Sequence, residues 1–343
     1  MKFHKVKQIN GTLSVPGDKS ISHRAVMFGA LAEGTTEVHN FLKGADCLST
    51  IQCFRQLGID IEEDIQNQVI RIHGKGLYGL SPSSSILDVG NSGTTLRLIS
   101  GILSGQPFES NLTGDSSIQK RPMNRVITPL SLMNADIKSV LGNGCAPLCI
   151  NESSYHSTKS TLKGIHYNSP IASAQIKSSV LLAGLYAEGE TSVIEPNVSR
   201  NHTELMLKEF GATLAVNNKT VTIQPEPRLF AQKVQVPGDI SSAAYFLAAA
   251  CILPNSELVI KDVGVNPTRD GIIDVLVSMG ADITKENLKN QDGEAICDLR
   301  VKSSNLHGTT IEGGIIPRLI DEIPVIAAVS YTHLRAHETS AHL

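Results

Sequence analysis

The chain contains no tryptophan, and aromatic residues make up only 4% of its 343 positions. Stacking platforms for bases or sugar rings are therefore not expected. No apolar run approaches the ~18–20 residues that a membrane span requires. The opening MKFHKVKQINGTLSVPGDKS also lacks the apolar stretch of a secretory signal, so the expected location is the cytoplasm. A net charge of −3 gives no general attraction for nucleic acid, so any anion must be held by local clusters. The six cysteines (Cys47, Cys53, Cys145, Cys149, Cys251 and Cys297) include no CxxC pair and no regular spacing. That fits free thiols in a reducing compartment better than a disulfide framework. Against these absences stands a hydrophobic content of 41%, enough for a packed core, in a length that suits two domains or a repeat array.

The chain repeats itself in two interleaved ways. One pattern is a helix, a Gly or Asn turn, and an alternating strand: STIQCFRQLGIDIEED, NRVITPLSLMNADIKSV, HTELMLKEFGATLAV and IIDVLVSMGADITKE. The turn residues Gly58, Asn134, Gly211 and Gly280 recur about 70–77 positions apart. The other pattern is a Ser/Gly-rich turn opening a helix of small apolar residues, starting near Ser22, Ser92, Ser173, Ser241 and Asp321. In its first copy Ile21, Ala25, Phe28 and Ala32 share one face, and Gly34 is expected to stop the helix. Together the patterns predict an α/β unit of the form β-α-β-α-β-β, whose first helix is buried on most sides. Val15-Pro-Gly-Asp-Lys-Ser and Val236-Pro-Gly-Asp-Ile-Ser match nearly letter for letter, which predicts two related domains. The expected division is residues 1–18 with 236–329 in one, and 19–235 in the other. Residues 330–343 have no apolar periodicity. His333 and His337 have zinc-ligand spacing but no Cys or carboxylate partners, so with His342 they read as a non-native tail rather than a metal site.

Two apparent nucleotide motifs fail in context. Gly74-Lys-Gly76-Leu-Tyr-Gly79 fits GxGxxG, but the following LSPSSS cannot open a helix, so a turn is expected. SVPGDKS resembles a phosphate-binding loop, but Asp18 separates Gly17 from Lys19. The stronger candidates cluster at the first-helix starts. Lys19, Ser20, His23 and Arg24 lie within a turn and a half, where free N–H groups and the helix dipole favour an anion. Asn91-Ser-Gly93-Thr94-Thr95 with Arg97 repeats that logic, its glycine letting a ligand approach the backbone. Ser173 and Gln175 add a hydroxyl and an amide, with Lys177 nearby. Arg121 and Arg200 stand at element edges, where a guanidinium could clamp an anion. Asp321-Glu322 is the only carboxylate pair at a first-helix start, a position suited to a general base.

Taken together, PGDKSISHRA, GNSGTTLRL, GDSSIQKRPM, SAQIKSSVLLAGL, SRNHTELML, VPGDISSAAYFLAA and IPRLIDEIPVIA resemble the 5-enolpyruvylshikimate-3-phosphate synthase family, in its bacterial class II form. The motifs occur in the family's order and cover Val15 to about Val329. The resemblance implies the two-domain enolpyruvyl transferase fold (inside-out α/β barrel), built from βαβαββ repeats. It implies transfer of enolpyruvyl from phosphoenolpyruvate to the 5-hydroxyl of shikimate 3-phosphate, with release of phosphate and no cofactor or metal. By motif, Lys19, Ser20, Arg24, Ser173, Ala174, Gln175, Arg200 and Asp321 would bind shikimate 3-phosphate. Lys19, Asn91, Gly93, Thr94, Arg121 and Gln175 would bind phosphoenolpyruvate, and Asp321 and Lys19 would be catalytic, Asp321 as proton acceptor. A cytoplasmic monomer with small-molecule partners, no nucleic acid and no membrane is expected. The family continues beyond LIDEIPVIA into a KETDR-type motif and two later basic motifs without counterparts here, which implies a truncated chain. Two alternatives are a catalytically impaired fragment that binds shikimate 3-phosphate, and the paralogous UDP-N-acetylglucosamine enolpyruvyl transferase. The paralogue typically has Lys-Asn where this chain has Lys19-Ser20.

Overall fold

The turn residues that mark the repeat all take left-handed backbone conformations in the computed structural model, with φ of 84° at Gly58, 69° at Asn134, 104° at Gly211 and 94° at Gly280. Glycine accepts this region without a steric penalty and asparagine tolerates it, so each helix can reverse into a strand within one or two residues. The structure describes residues 6–152, 162–291 and 293–333. His337, His342 and the side chain of His333, read above as part of a tail, lie outside the described residues.

The first repeat runs through β1 (Asn10–Ser14), α1 (Lys19–Leu31), β2 (Glu33–His39), α2 (Ala45–Gln56), β3 (Asp60–Asp64) and β4 (Val69–Lys75). The second contains β5 (Leu87–Asp88), α3 (Gly93–Ser104), β6 (Ser110–Thr113), α4 (Asn124–Leu132), β7 (Ile137–Ser139) and β8 (Leu148–Ile150). In the third are β9 (His166–Asn168), α5 (Ala174–Gly184), β10 (Thr191–Ile194), α6 (His202–Glu209), β11 (Leu214–Asn217) and β12 (Thr220–Ile223). The fourth has β13 (Lys233–Gln235), α7 (Ile240–Ile252), β14 (Glu257–Gly264), α8 (Gly271–Ser278), β15 (Asp282–Gln291) and β16 (Glu294–Lys302). Two helices follow, α9 (Ile316–Leu319) and α10 (Ile323–His333).

Each four-stranded sheet has one order: a parallel edge pair, then two antiparallel strands. The orders β5-β6-β8-β7 and β9-β10-β12-β11 use strands of a single repeat. The other two sheets exchange their first strands. β1 pairs with β14, Leu13 opposite Ile260, while β13 pairs with β2, Val234 opposite Val38. The chain divides accordingly into two compact units. The smaller comprises the described residues up to Asp18 and from Pro237 onward, and the larger is Lys19–Val236. Val236, expected in the smaller unit, falls in the larger, where its N–H donates to the His39 carbonyl. The duplicated Val-Pro-Gly-Asp segments pair with each other in the smaller unit: Asp18 N–H donates to Pro237 O and Asp239 N–H to Pro16 O.

In the larger unit α1 is buried from Ile21 to Leu31, and α5 from Ile176 to Gly184. α3 packs directly on α5 because Gly101 has no side chain; a β-carbon there would stand 2.2 Å from the Ser179 carbonyl oxygen. That close approach aligns the two N-termini that carry Thr94 and Gln175. The smaller unit has its own core of Ile240, Leu247, Ile260, Leu276, Leu299 and neighbours. Its first helix, α7, is less enclosed than expected, with Tyr245 and Phe246 exposed. Gly34 lies inside β2 rather than at a helix end, since α1 has already stopped at Leu31. In the GKGLYG segment, Gly74 serves helix–strand packing: a β-carbon would lie 2.1 Å from the Gly29 carbonyl oxygen. No helix among the described residues is long and apolar enough to cross a membrane.

Candidate active site

At the N-terminus of α1, Lys19 is exposed and Ser20 half-buried. Lys19 Nζ lies 3.3 Å from Asp46 of α2, a carboxylate that the sequence did not single out. Arg24, one turn on, is enclosed. Its Nε donates to Thr203 Oγ1 at 2.7 Å, Nη2 to Ser178 Oγ at 3.0 Å, and Nη1 to the Ser20 carbonyl at 3.0 Å. His23 turns the other way. It is fully buried, with Nδ1 2.7 Å from Thr50 Oγ1, and a hydroxyl chain continues through Thr95 to Ser92. The structure thus buries His23 against α2, although Lys19, four residues earlier at the first position of α1, is exposed.

The start of α3 gathers the densest set of candidates. Ser92 caps the helix by accepting from Thr95 N–H. Asn91 bridges two charges, donating to Asp115 Oδ2 and accepting from Arg121 Nη2, both at 2.6 Å. The backbone N–H of Ile118 and the Asn91 amide hold the Asp115 carboxyl below its usual range. Gln175, at the start of α5, donates to Thr94 Oγ1 at 3.1 Å and accepts from Arg97 Nη1. Burial, reinforced by the charges of Arg125 and Arg121, pulls Arg97 down to about 10. It remains charged at neutral pH. Gly93 sits against the guanidinium ends of both Arg121 and Arg97. Asn91, Gly93, Thr94, Arg97, Arg121 and Gln175 therefore form one cationic cluster at paired helix N-termini, suited to a small multiply charged anion.

Ser173 caps α5, and with Ala174 it is half-buried beside that cluster. Arg200 lies on the loop before α6 and is also half-buried. Lys177, which looked like a further ligand cation, is buried instead in an ion-pair triad, 2.9 Å from Glu195 and 2.8 Å from Glu204.

The smaller unit carries Asp321. Its carboxylate, half exposed, is 3.4 Å from Arg269 Nη1. Arg269 is buried among Asp18, at 3.5 Å, Asp239, at 3.2 Å, and Asp321. Burial alone would lower its pKa, but the charges of Asp18, Asp239, Glu322 and Asp321 outweigh burial and raise it. Burial and the Asp18 charge in turn push the Asp239 carboxyl up. Glu322 is buried and accepts from Ser241. Among the described residues, one set of metal-type donors lies close together, Asp60, Glu62 and His73, on the exposed face of β3 and β4. Thr35 Oγ1 lies 3.0 Å from His73 Nδ1 there.

The sequence profile of the family described as EPSP synthase (3-phosphoshikimate 1-carboxyvinyltransferase) matches residues 3–340. A 3-phosphoshikimate 1-carboxyvinyltransferase of Thermoanaerobacter sp. (strain X514) is 56% identical over 330 residues, covering 96% of this chain and 75% of the relative. The Bacillus subtilis (strain 168) protein of the same name is 54% identical over the same coverage. The solved structure of EPSP synthase from Acinetobacter baumannii superposes with a TM-score of 0.86 at 46% identity, over 94% of this chain and 72% of that one. The expected two-domain α/β fold is thus that of a solved structure.

Proposed function

The chain belongs to the EPSP synthase family, and on that premise we propose that it transfers the enolpyruvyl group of phosphoenolpyruvate to the 5-hydroxyl of shikimate 3-phosphate, releasing phosphate. The observation that carries the reading is the cluster around Gly93, where Arg97 and Arg121 converge on a bare backbone beside Thr94 and Gln175. Two substrates that each bear phosphate and carboxylate repel one another, and fixed cations must offset that repulsion. We assign phosphoenolpyruvate to Lys19, Asn91, Gly93, Thr94, Arg121 and Gln175. Shikimate 3-phosphate is assigned to Lys19, Ser20, Arg24, Ser173, Ala174, Gln175, Arg200 and Asp321. Arg24 supports this as a guanidinium braced by Thr203 and Ser178, and Ser173 as a hydroxyl at a helix N-terminus.

In the proposed reaction Asp321 accepts the proton of the attacking hydroxyl, and Lys19 reaches both substrates. Addition of the hydroxyl oxygen to C2 of phosphoenolpyruvate, with a proton delivered to C3, gives a tetrahedral intermediate; loss of a proton from C3 with expulsion of phosphate restores the double bond. This sequence moves only protons and a phosphate leaving group, so it requires no redox or metal group. The assignment of the protein as a cytoplasmic monomer belongs to the same proposal. Six free thiols, five of them buried, fit a reducing compartment, and light scattering of the purified chain tests the monomer. The function is tested by phosphate release from phosphoenolpyruvate with each acceptor in turn. Release is expected with shikimate 3-phosphate. Release with UDP-N-acetylglucosamine instead would favour the paralogous activity and overturn the reading.

A further inference from the structure

Lys177, Glu195 and Glu204 are each more than nine-tenths buried, yet all three are ionisable. Burying charge is costly unless partners and hydrogen bonds compensate, so a buried triad has to be justified by what it holds in place. Here the contacts lead outward to two separate segments. Glu195 Oε1 accepts from the backbone N–H of Ser173 at 3.0 Å, at the start of α5. Glu195 Oε2 accepts from Ser199 N–H at 3.3 Å and Ser199 Oγ at 2.9 Å, on the loop that enters α6. Lys177 Nζ donates to the Ser199 carbonyl at 3.3 Å, so Ser199 is gripped by its N–H, its hydroxyl and its carbonyl. Glu204, in the first turn of α6, closes the triad on the far side of Lys177.

Resting on the site assignment above, we propose that Lys177 and Glu195 are positioning residues that fix Ser173 and Arg200, the latter next to Ser199, at the spacing required to take the 3-phosphate of the acceptor. The triad itself does not touch substrate. Its work is to tie the N-cap of α5 to the loop before α6 through the Glu195 carboxylate, braced by Lys177, so that a hydroxyl and a guanidinium drawn from two elements act as a single phosphate clamp. Because both carboxylates are buried, the clamp presents donors rather than negative charge to its ligand.

The test compares shikimate 3-phosphate with shikimate, which lacks the phosphate, by isothermal titration against the 343-residue chain. Glu195→Gln keeps the size and one acceptor while removing the charge, and Lys177→Met removes the lysine. A chain that still melts cooperatively is required of each variant; should Lys177→Met not fold, Glu195→Gln alone decides. The expected result is a loss of about tenfold or more in affinity for shikimate 3-phosphate, the scale of one charged hydrogen bond, with affinity for shikimate unchanged. Arg200→Ala added to Glu195→Gln is expected to cost little more, since the two act through the same contact. Equal losses for both ligands, full additivity with Arg200→Ala, or undiminished phosphate affinity would each overturn the positioning role. Wild-type chain that binds no shikimate 3-phosphate would overturn the site assignment itself, which is a distinct failure.

Discussion

At Gly93 a hydrogen stands where any other residue would carry a carbon, and two guanidinium groups fill the space beside it. A β-carbon would lie 3.0 Å from Arg121 Nη1 and 3.1 Å from Arg97 Nη1, so both side chains would have to give way by a few tenths of an ångström. These are the ends of flexible side chains, and the fold loses little. The ligand loses more, because Arg121 is assigned to phosphoenolpyruvate and Arg97 donates to Gln175, which is assigned to it as well. Gly93→Ala is expected to weaken phosphoenolpyruvate by about tenfold, within the ~1–3 kcal/mol typical of overpacking, while the melting temperature and the affinity for shikimate 3-phosphate stay near wild type. Titration of both ligands checks this, and unchanged phosphoenolpyruvate affinity would refute the place given to Gly93. The positions of Lys19-Ser20 and Gly93-Thr94-Thr95 at helix starts were legible in the sequence because each opens a run of small apolar residues. Lys177 and His23 misled for a shared reason. Their partners, Glu195 and Glu204 for one and Thr50 for the other, lie far along the chain, and local spacing cannot say which way a side chain on a buried helix turns.

Among the elements, the β1-β14-β16-β15 sheet is held by charge as well as by its ladder. Asp298 of β16 accepts from Lys261 of β14, from Asn287 Nδ2 of β15 at 2.7 Å, and from Asp262 N–H at 3.0 Å. Burial would raise this carboxyl, but the Lys261, Asn287 and Asp262 donors outweigh it and hold the group at about 2. A carboxyl lowered on folding contributes stability that is fully present above its unfolded value and is lost as pH falls through the folded one. The stability difference between wild type and Asp298→Asn should therefore be complete above about pH 4 and close by about pH 2. Urea denaturation at pH 6, 4, 3 and 2 measures it; a difference independent of pH would rule the ion pair out as its source. Element order was read correctly because each repeat announces itself by a positive-φ residue and a small-residue helix. The expected grouping of residues 1–18 with 236–329 put β1 in the same unit as β14, with which it pairs. What the pattern did not give was the return exchange, since nothing local tells β13 to pair with β2.

For the molecule as a whole, the exchange of β1 and β13 makes the larger unit an insertion within the smaller one. Lys19–Val236 is continuous, closes its own three sheets and has a separate core. Expressed alone it is expected to melt cooperatively and to keep the cationic cluster around Gly93; a non-cooperative melt would show that it depends on the rest of the chain. The smaller unit has no such independence, since β1 must wait for β14, hundreds of residues later. Joining the ends of a flexible loop of roughly 220 residues costs about 5 kcal/mol in chain entropy. A larger unit that has already folded removes most of that cost. β13 is tied to β2, and the flanking residues Asp18 and Pro237 are hydrogen-bonded at 2.8 Å. Strand exchange thereby sets an order of assembly on the ribosome: the inserted unit emerges complete and folds, and the N-terminal strand stays unpaired until synthesis reaches its partner.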